Sequence, residues 1–183
     1  MGLGRLLVRG AIGGLMVGHG TQKLFGWFGG GGPEGTGQFF EQVGLRPGRR
    51  NALAAGAAEA GGGALLALGL ATSVAVAALQ GVMLSAIRHV HWKNGPWSTK
   101  GGYEYNLVLV AALFGLAESG PGRLSLDAAR DRERCGLGWA LAALAAAAAG
   151  SYAISAAADF EVEATPREQG VETADAVEAM ETS

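Results

Sequence analysis

The sequence has 183 residues, of which 49% are hydrophobic and only 16% are charged, and its formal net charge is −2. Soluble domains have about 25% charged residues. The lower fraction here favours a membrane protein, with the lipid bilayer as its expected partner. The near-neutral charge excludes a nucleic-acid partner, which requires a clustered basic surface. The single cysteine, Cys135, excludes an intramolecular disulfide and a Cys-x-x-Cys pair.

Five apolar segments predict five transmembrane helices, over residues 6–28, 52–70, 73–90, 103–117 and 136–158. The second and third belong to one run, residues 52–87, whose single charge is Glu59. As one helix this run would be about 54 Å long, against about 30 Å for the hydrocarbon core of a bilayer. We therefore expect it to fold back as a hairpin at residues 69–73.

A secretory signal peptide is the alternative interpretation of the first segment, since Arg5 and Arg9 resemble a basic leader. It is disfavoured because the apolar run leads into His19 and Lys23 without a small-residue cleavage site. The first segment is therefore predicted to be a transmembrane helix.

Glycine and proline mark the connections between the segments. Residues 29–33 cannot continue a helix, and Thr36 is predicted to cap a short interfacial or re-entrant helix. Residues 120–122, Gly-Pro-Gly, end the fourth segment. Residues 128–135 form a basic loop, and residues 159–183, with eight acidic side chains, are predicted to be a disordered tail.

The basic residues do not fix the orientation of these helices. A cytoplasmic N-terminus places six basic residues on the cytoplasmic side and seven on the other, so the positive-inside rule is close to balance. The dense arginines of residues 123–134 favour the cytoplasmic N-terminus, which would place the acidic tail outside.

Ionisable side chains inside apolar helices are costly and mark candidate sites. The third predicted span ends with Arg88, His89 and His91. The candidate polar cluster consists of His19, Lys23, Glu59, His91 and Glu104. Lys23 is expected to pair with Glu59 or with Glu104. Two interpretations stay open, since such pairs either only fix the register of the helices or belong to a substrate, quinone or proton site.

A metal centre is not expected. His89 and His91 are two residues apart, which points them in different directions on a helix, and the i, i+4 pattern of a helical zinc pair is absent. Bis-histidine haem ligation would need His19 to meet one of these two across the bundle, and three histidines leave little choice of axial ligand.

Small and aromatic residues predict packing and anchoring. The pattern GxGxxG at residues 30–35 follows no strand and contains a proline, so it does not indicate a dinucleotide site. Gly14-x-x-x-Gly18 is predicted to be a close helix-packing face. Aromatic residues at the span ends are predicted to form a belt at the membrane interface: Trp27, Trp92, Trp97, Tyr103 and Tyr105.

Six short motifs occur in order within residues 4–127. They are Gly18 to Gly26 (GHGTQKLFG), Phe39-Phe40 with Gly44-Leu45-Arg46-Pro47, Ala55-Gly56 with Glu59 and Gly61-Gly62, Met83 with His91, Gly102 to Asn106 (GYEYN), and Gly120 to Asp127 (GPGRLSLD). In this combination the sequence resembles the DoxX family of small bacterial membrane proteins. The resemblance implies a four-helix bundle in the bacterial inner membrane and an association with oxidoreductase systems, including a thiosulfate:quinone oxidoreductase and an oxidative-stress complex. It also implies functional candidates at Lys23, Glu59, His91 and Glu104.

We therefore predict an all-α, multi-pass protein of the bacterial cell membrane. Residues 1–127 are predicted to form a DoxX-like transmembrane four-helix bundle, and residues 128–135 a basic loop. Residues 136–158 are predicted to add a fifth transmembrane helix, and residues 159–183 the disordered acidic tail.

Three functions fit this prediction. The first is a membrane subunit of a redox complex, either quinone-linked or concerned with oxidative stress, whose polar cluster lines a quinone-facing pocket. The second is a non-catalytic scaffold or assembly factor, in which the charges only lock the helices together. The third is a small-molecule transporter, which is disfavoured because the five segments show no internal repeat. No catalytic motif assigns a reaction to the chain.

Overall fold

The computed structural model describes residues 2–158, and their regular secondary structure is helical throughout. The six α-helices are α1 (Leu3–Phe25), α2 (Gly32–Gln42), α3 (Gly48–Leu68), α4 (Thr72–Ala86), α5 (Glu104–Ser119) and α6 (Leu137–Ala158). One π-helical turn, Ile87–His91, and one 3₁₀ turn, Trp92–Asn94, continue α4 without a break. The predicted acidic tail lies outside the described residues.

The predicted hairpin between the second and third segments is confirmed. α3 ends at Gly69, whose φ of 62° is in the left-handed region that glycine adopts without strain, and α4 begins at Thr72. The predicted end of the fourth segment is also confirmed, because α5 stops at Ser119, directly before Gly120 and Pro121.

The prediction for the short interfacial helix was wrong at its start. α2 begins at Gly32, four residues before the predicted cap at Thr36, and has Pro33 in its first turn. Proline is tolerated there because the first amides of a helix have no partner within the helix, and its fixed φ suits helical backbone.

α1 and α3 pack antiparallel with their backbones in contact. A Cβ atom added at Gly20 would lie 2.6 Å from the carbonyl oxygen of Gly56, and one added at Gly63 would lie 2.6 Å from that of Gly13. The two glycines of each helix are seven residues apart, or about two turns, and so share one face. Only glycine permits this approach, because any side chain would collide with the facing backbone.

The predicted packing face, Gly14-x-x-x-Gly18, was therefore wrong. Neither glycine has a neighbouring atom within 4 Å of an added Cβ, so both lie away from α3. The contact uses Gly13 and Gly20 instead, because these share a face with the buried residues Ile12 and Met16.

One apolar core lies between α1, α3, α4 and α5. Its largest fully buried side chains are Leu66 of α3, Val76 and Leu79 of α4, and Leu113 of α5. Ala140 and Ala143 of α6 complete the same cluster. The core therefore joins four helices of the predicted domain to the additional helix α6.

α6 packs on α4 through small residues. Its buried positions are all alanine or serine: Ala140, Ala143, Ala147, Ser151, Ser155 and Ala158. Ser151 accepts a hydrogen bond from Ser85 at 3.0 Å, and the Oγ of Ser155 lies 2.8 Å from Nε2 of His89. Small residues and interhelical hydrogen bonds are the usual means by which helices associate in lipid.

Two helices are long and apolar enough to cross a membrane, among the described residues. They are Thr72–Asn94, with a mean hydropathy of 1.4, and Leu137–Ala158, with 1.6. Only 28% of each apolar window is buried inside the protein, unlike the core helix of a soluble protein. α5 has only 16 residues, and charged residues lie within both α1 and α3. The other three predicted spans therefore stay predictions.

A buried polar contact closes the end of the structure at which α3 turns into α4. The carboxylate of Asp127 accepts hydrogen bonds from the amides of Ala71 and Thr72, at 2.8 and 2.9 Å, and from the hydroxyl of Thr72. Arg9, which is fully buried, donates to the carbonyl of Leu124 at 2.6 Å. Asp127 thus caps α4 from a distant part of the chain.

We predict that Gly20→Ala lowers the free energy of unfolding by about 2 kcal/mol, because the new methyl group pushes α1 away from α3. Gly18→Ala is the matched control, since its methyl group meets open space and alanine favours a helix by about 0.5–1 kcal/mol. Denaturation in a mild detergent, followed by circular dichroism, compares the two. Equal effects of both substitutions would contradict the packing face described here.

We predict that Asp127→Ala lowers the free energy of unfolding by about 1–2 kcal/mol through loss of the α4 cap. The exposed Glu133 lies in the same connection, and Glu133→Ala is expected to change the stability by less than about 0.5 kcal/mol. The same denaturation measurement applies. A loss no greater than that of the control would show that Asp127 does not stabilise α4.

Candidate functional site

The central polar contact is an ion pair between α1 and α3. Nζ of Lys23 donates to Oε2 of Glu59 at 2.6 Å, and the two side chains are 20% and 5% exposed. The pair lies close to the Gly20–Gly56 contact, where the helix backbones touch. Of the two partners predicted for Lys23, the structure has Glu59.

This ion pair lies on the wall of a cavity of about 960 Å³. α3 contributes Ala54, Ala55 and Ala58, and α4 with the π-helical turn that continues it contributes one face from Val74 to Val90. α6 adds Ala147 and its neighbours to the lining. Ligand sites are mostly apolar with a few polar groups at fixed places, and this cavity has that composition.

Four of the five predicted site residues line the cavity: His19, Lys23, Glu59 and His91. Nδ1 of His19, which is exposed, lies 3.2 Å from Oε1 of Gln22. Nδ1 of His91 lies 2.7 Å from the carbonyl oxygen of Gly101. Three helices therefore bring polar side chains to the same space, since α1 and α3 hold the ion pair and the π-helical turn after α4 holds His91.

Glu104 is not brought into this group. Its carboxylate accepts hydrogen bonds from the amide of Ser98, at 2.8 Å, and from the hydroxyl of the same residue. It is not among the residues that line the cavity. Glu104 instead holds the loop that precedes α5, because it lies in the first turn of that helix and reaches back to Ser98.

His89 and His91 point in different directions, as their spacing predicted. His89 contacts Ser155 of α6, whereas His91 contacts the loop at Gly101. Among residues 2–158, no group of three or more histidine, cysteine or acidic side chains is arranged to hold a metal ion.

Two asparagines of the cavity wall were missed by the search for charged residues. Nδ2 of Asn51 is buried and has no hydrogen-bond partner in the described part of the chain. Nδ2 of Asn106 donates to the sulfur of Met83 at 3.4 Å. An uncharged amide inside an apolar segment is also costly in lipid, so a search that included amides would have found Asn106 within the fourth segment. Asn51 directly precedes the second segment and gave no such signal.

α2 covers one end of the cavity with Phe39 and Phe40. It is tied to the start of α3, where Arg49 donates to Glu34 at 2.9 Å and the amide of Gly48 donates to Glu41 at 3.1 Å. The hydrogen bond from Arg49 lowers the pKa of Glu34 below its usual range. Both partners of this ion pair are exposed.

Aromatic residues gather where α1 and α4 end. Trp27, Trp92 and Trp97 are 57%, 66% and 63% exposed. Trp92 stacks on Tyr103 with ring centroids 5.6 Å apart. At the other end, which the prediction did not include, the guanidinium of Arg134 lies 5.3 Å from the ring centroid of Trp139. Such amphipathic rings are typical of the boundary between lipid and water.

We predict that Lys23→Met lowers the free energy of unfolding by about 3 kcal/mol, because Glu59 is left buried without its partner. The double variant Lys23→Met/Glu59→Leu is expected to recover most of this loss, since no lone charge remains. Arg49→Met breaks the exposed pair with Glu34 and serves as the control, with a change below about 1 kcal/mol. Unfolding in mild detergent measures all three, and similar losses for both single variants would contradict the buried role of Glu59.

Comparison with known proteins relates part of the chain to a family. The DoxX family model matches residues 4–92, which include α1 to α4 and four of the predicted site residues. No curated protein and no solved structure matches the chain. The matched domain and the two apolar helices together indicate a membrane protein. Residues 4–92 thus form a DoxX domain, which supports membership of the DoxX family.

Proposed function

We propose that this DoxX-family protein is a membrane subunit of a redox complex and that its cavity receives a quinone beside the Lys23–Glu59 pair. The observation that supports this most is the position of the pair, on the wall of a largely apolar cavity of about 960 Å³. A buried charge pair that only held two helices together would have no need of an adjoining cavity.

The proposal includes a topology. In it, residues 1–127 form a four-helix domain of α1, α3, α4 and α5 in the bacterial inner membrane, and α6 adds a further span. The support is an outward surface rich in apolar residues, such as Leu7, Val108 and Leu141, which are 63%, 64% and 52% exposed. Residues of this kind cover the lipid-facing side of membrane helices.

The composition of the cavity supports a quinone as the ligand. A quinone has a flat, uncharged ring with oxygen acceptors and a hydrocarbon tail. Lys23 and Asn51 offer N–H donors to the ring, and the apolar faces of α3, α4 and α6 suit the tail. Electron-transfer partners would be other subunits of the same complex.

We predict that the protein purified in mild detergent retains quinone and that Glu59→Gln reduces the retained amount about tenfold. The reason is that the substitution removes the charge that fixes Lys23, and a charge-assisted hydrogen bond contributes about 1.5 kcal/mol. Extraction and mass spectrometry measure quinone per protein. Glu34→Gln is the matched control, because Glu34 is exposed and does not line the cavity.

Two results together would refute the proposal. They are a purified protein without quinone and unchanged electron transfer in membranes that lack the protein. A membrane scaffold is the second candidate, favoured by the position of the Lys23–Glu59 pair beside the glycine contact of α1 and α3. In that case Glu59→Gln reduces the amount of protein in the membrane and leaves quinone content and electron transfer unaffected.

A further inference from the structure

The hydrogen bonds of His19 fix which of its nitrogens carries the proton. Nε2 of Gln22 lies 3.4 Å from the carbonyl oxygen of Phe28, and because a carbonyl only accepts, this end of the amide is the NH₂ group. The other end, Oε1, then accepts from Nδ1 of His19. In the neutral imidazole, Nδ1 is therefore the donor and Nε2 the acceptor.

His91 has the same tautomer for a simpler reason. Its Nδ1 lies 2.7 Å from the carbonyl oxygen of Gly101, so Nδ1 must carry the proton. Within residues 2–158, Nε2 of neither His19 nor His91 has a hydrogen-bond partner, although both residues line the cavity. Two residues of the cavity lining thus each carry an imidazole acceptor.

The cavity lining also contains hydrogen-bond donors. Lys23 has three N–H groups and uses one on Glu59. Nδ2 of Asn51 is buried and, in the described chain, donates to nothing. A buried donor without a partner costs about 1–3 kcal/mol, so a ligand atom that accepts from Asn51 would remove this cost.

The ion pair on the cavity wall has no net charge. Lys23 and Glu59 neutralise each other at 2.6 Å, and Glu59 is only 4% exposed. An anionic head group would draw Lys23 away and leave the carboxylate of Glu59 buried without a partner, which is strongly unfavourable. The site therefore selects against carboxylates and phosphates and favours an uncharged head.

We propose that the cavity binds an uncharged amphiphile whose head group carries a hydroxyl. A hydroxyl is the smallest uncharged group that satisfies both halves of the wall, because one oxygen donates to an imidazole Nε2 and accepts from Lys23 or Asn51. This inference rests on the proposed function where the ligand is a quinone. A quinone oxygen only accepts hydrogen bonds, so the site is then expected to bind the reduced hydroquinone more tightly than the quinone.

The rest of the ligand is hydrocarbon. The lining residues of α4 and of the π-helical turn that continues it extend from Val74 to Val90, about 24 Å along the helix. α6 contributes Ala146, Gly150 and Ile154 to the same lining. A tail of ten or more carbons fits along this length, with the head group at the end of the cavity where Lys23 and His91 lie.

Binding to the full chain in detergent micelles, measured by mass spectrometry of the intact complex, tests the head group. One set of probes is a decyl hydroquinone kept reduced, the corresponding quinone and the bis-methyl ether of the hydroquinone. A second set is tetradecanol and tetradecanoate. We expect the hydroquinone and tetradecanol to bind about tenfold more tightly than the ether and tetradecanoate, respectively, because one hydrogen bond contributes about 1–1.5 kcal/mol.

Variants test the acceptor. His91→Phe is expected to reduce hydroquinone affinity about tenfold and to leave affinity for the ether unchanged, since the ring shape is kept and Nε2 is lost. His89→Phe is the matched control, because His89 lies two residues away and does not line the cavity. Thermal unfolding checks each variant, and if His91→Phe is unstable, His19→Phe applies the same test.

Each result decides a separate point. Equal binding of the hydroquinone and its ether, or of tetradecanol and tetradecanoate, overturns the inference. Equal binding of hydroquinone and quinone also overturns it and leaves the proposed function standing. Tight binding of tetradecanol, with neither redox form bound, supports the hydroxyl site and overturns the proposed function. Binding of no probe overturns both.

Discussion

The close approach of α1 and α3 is the constraint on which the rest of the structure depends. Two glycines on each helix bring the backbones into contact, so neither helix can rotate or slide without a collision. This fixed register places Lys23 opposite Glu59. A charge pair inside apolar surroundings is stable only with good geometry, and here the glycine contact provides that geometry.

α3 packs closely against α1 on one side and borders the cavity on another. α3 uses glycine toward α1 and alanine toward the cavity, so the space beside Ala54, Ala55 and Ala58 is not filled by long side chains. α6 likewise presents only alanine and serine to α4. The resulting cavity is apolar along its length and polar where α1, α3 and the turn after α4 meet. Residues of α6, outside the matched family region, therefore shape a cavity whose ion pair and His91 lie inside that region.

Sequence patterns predicted the helices well because their ends depend on local chemistry. Glycine at positive φ ends α3, and Gly-Pro-Gly ends α5. The prediction failed where two local signals competed, since proline in the first turn of α2 acted as a start and not as a stop. No sequence pattern indicated that Arg9 is buried, because its hydrogen-bond partner Leu124 comes from a distant part of the chain.

The sequence by itself determined that the chain is helical and rich in apolar surface, and it identified the few ionisable residues inside that surface. Only the tertiary structure decided which glycines touch, that Glu59 and not Glu104 faces Lys23, and that Asn51 lies on the same wall as His91. The physical reason is that composition and spacing act within one helix, whereas the rotation of one helix against another is set by the packing of both. A shift of one residue moves a side chain by about 100° around its helix, and so decides between a cavity wall and the lipid.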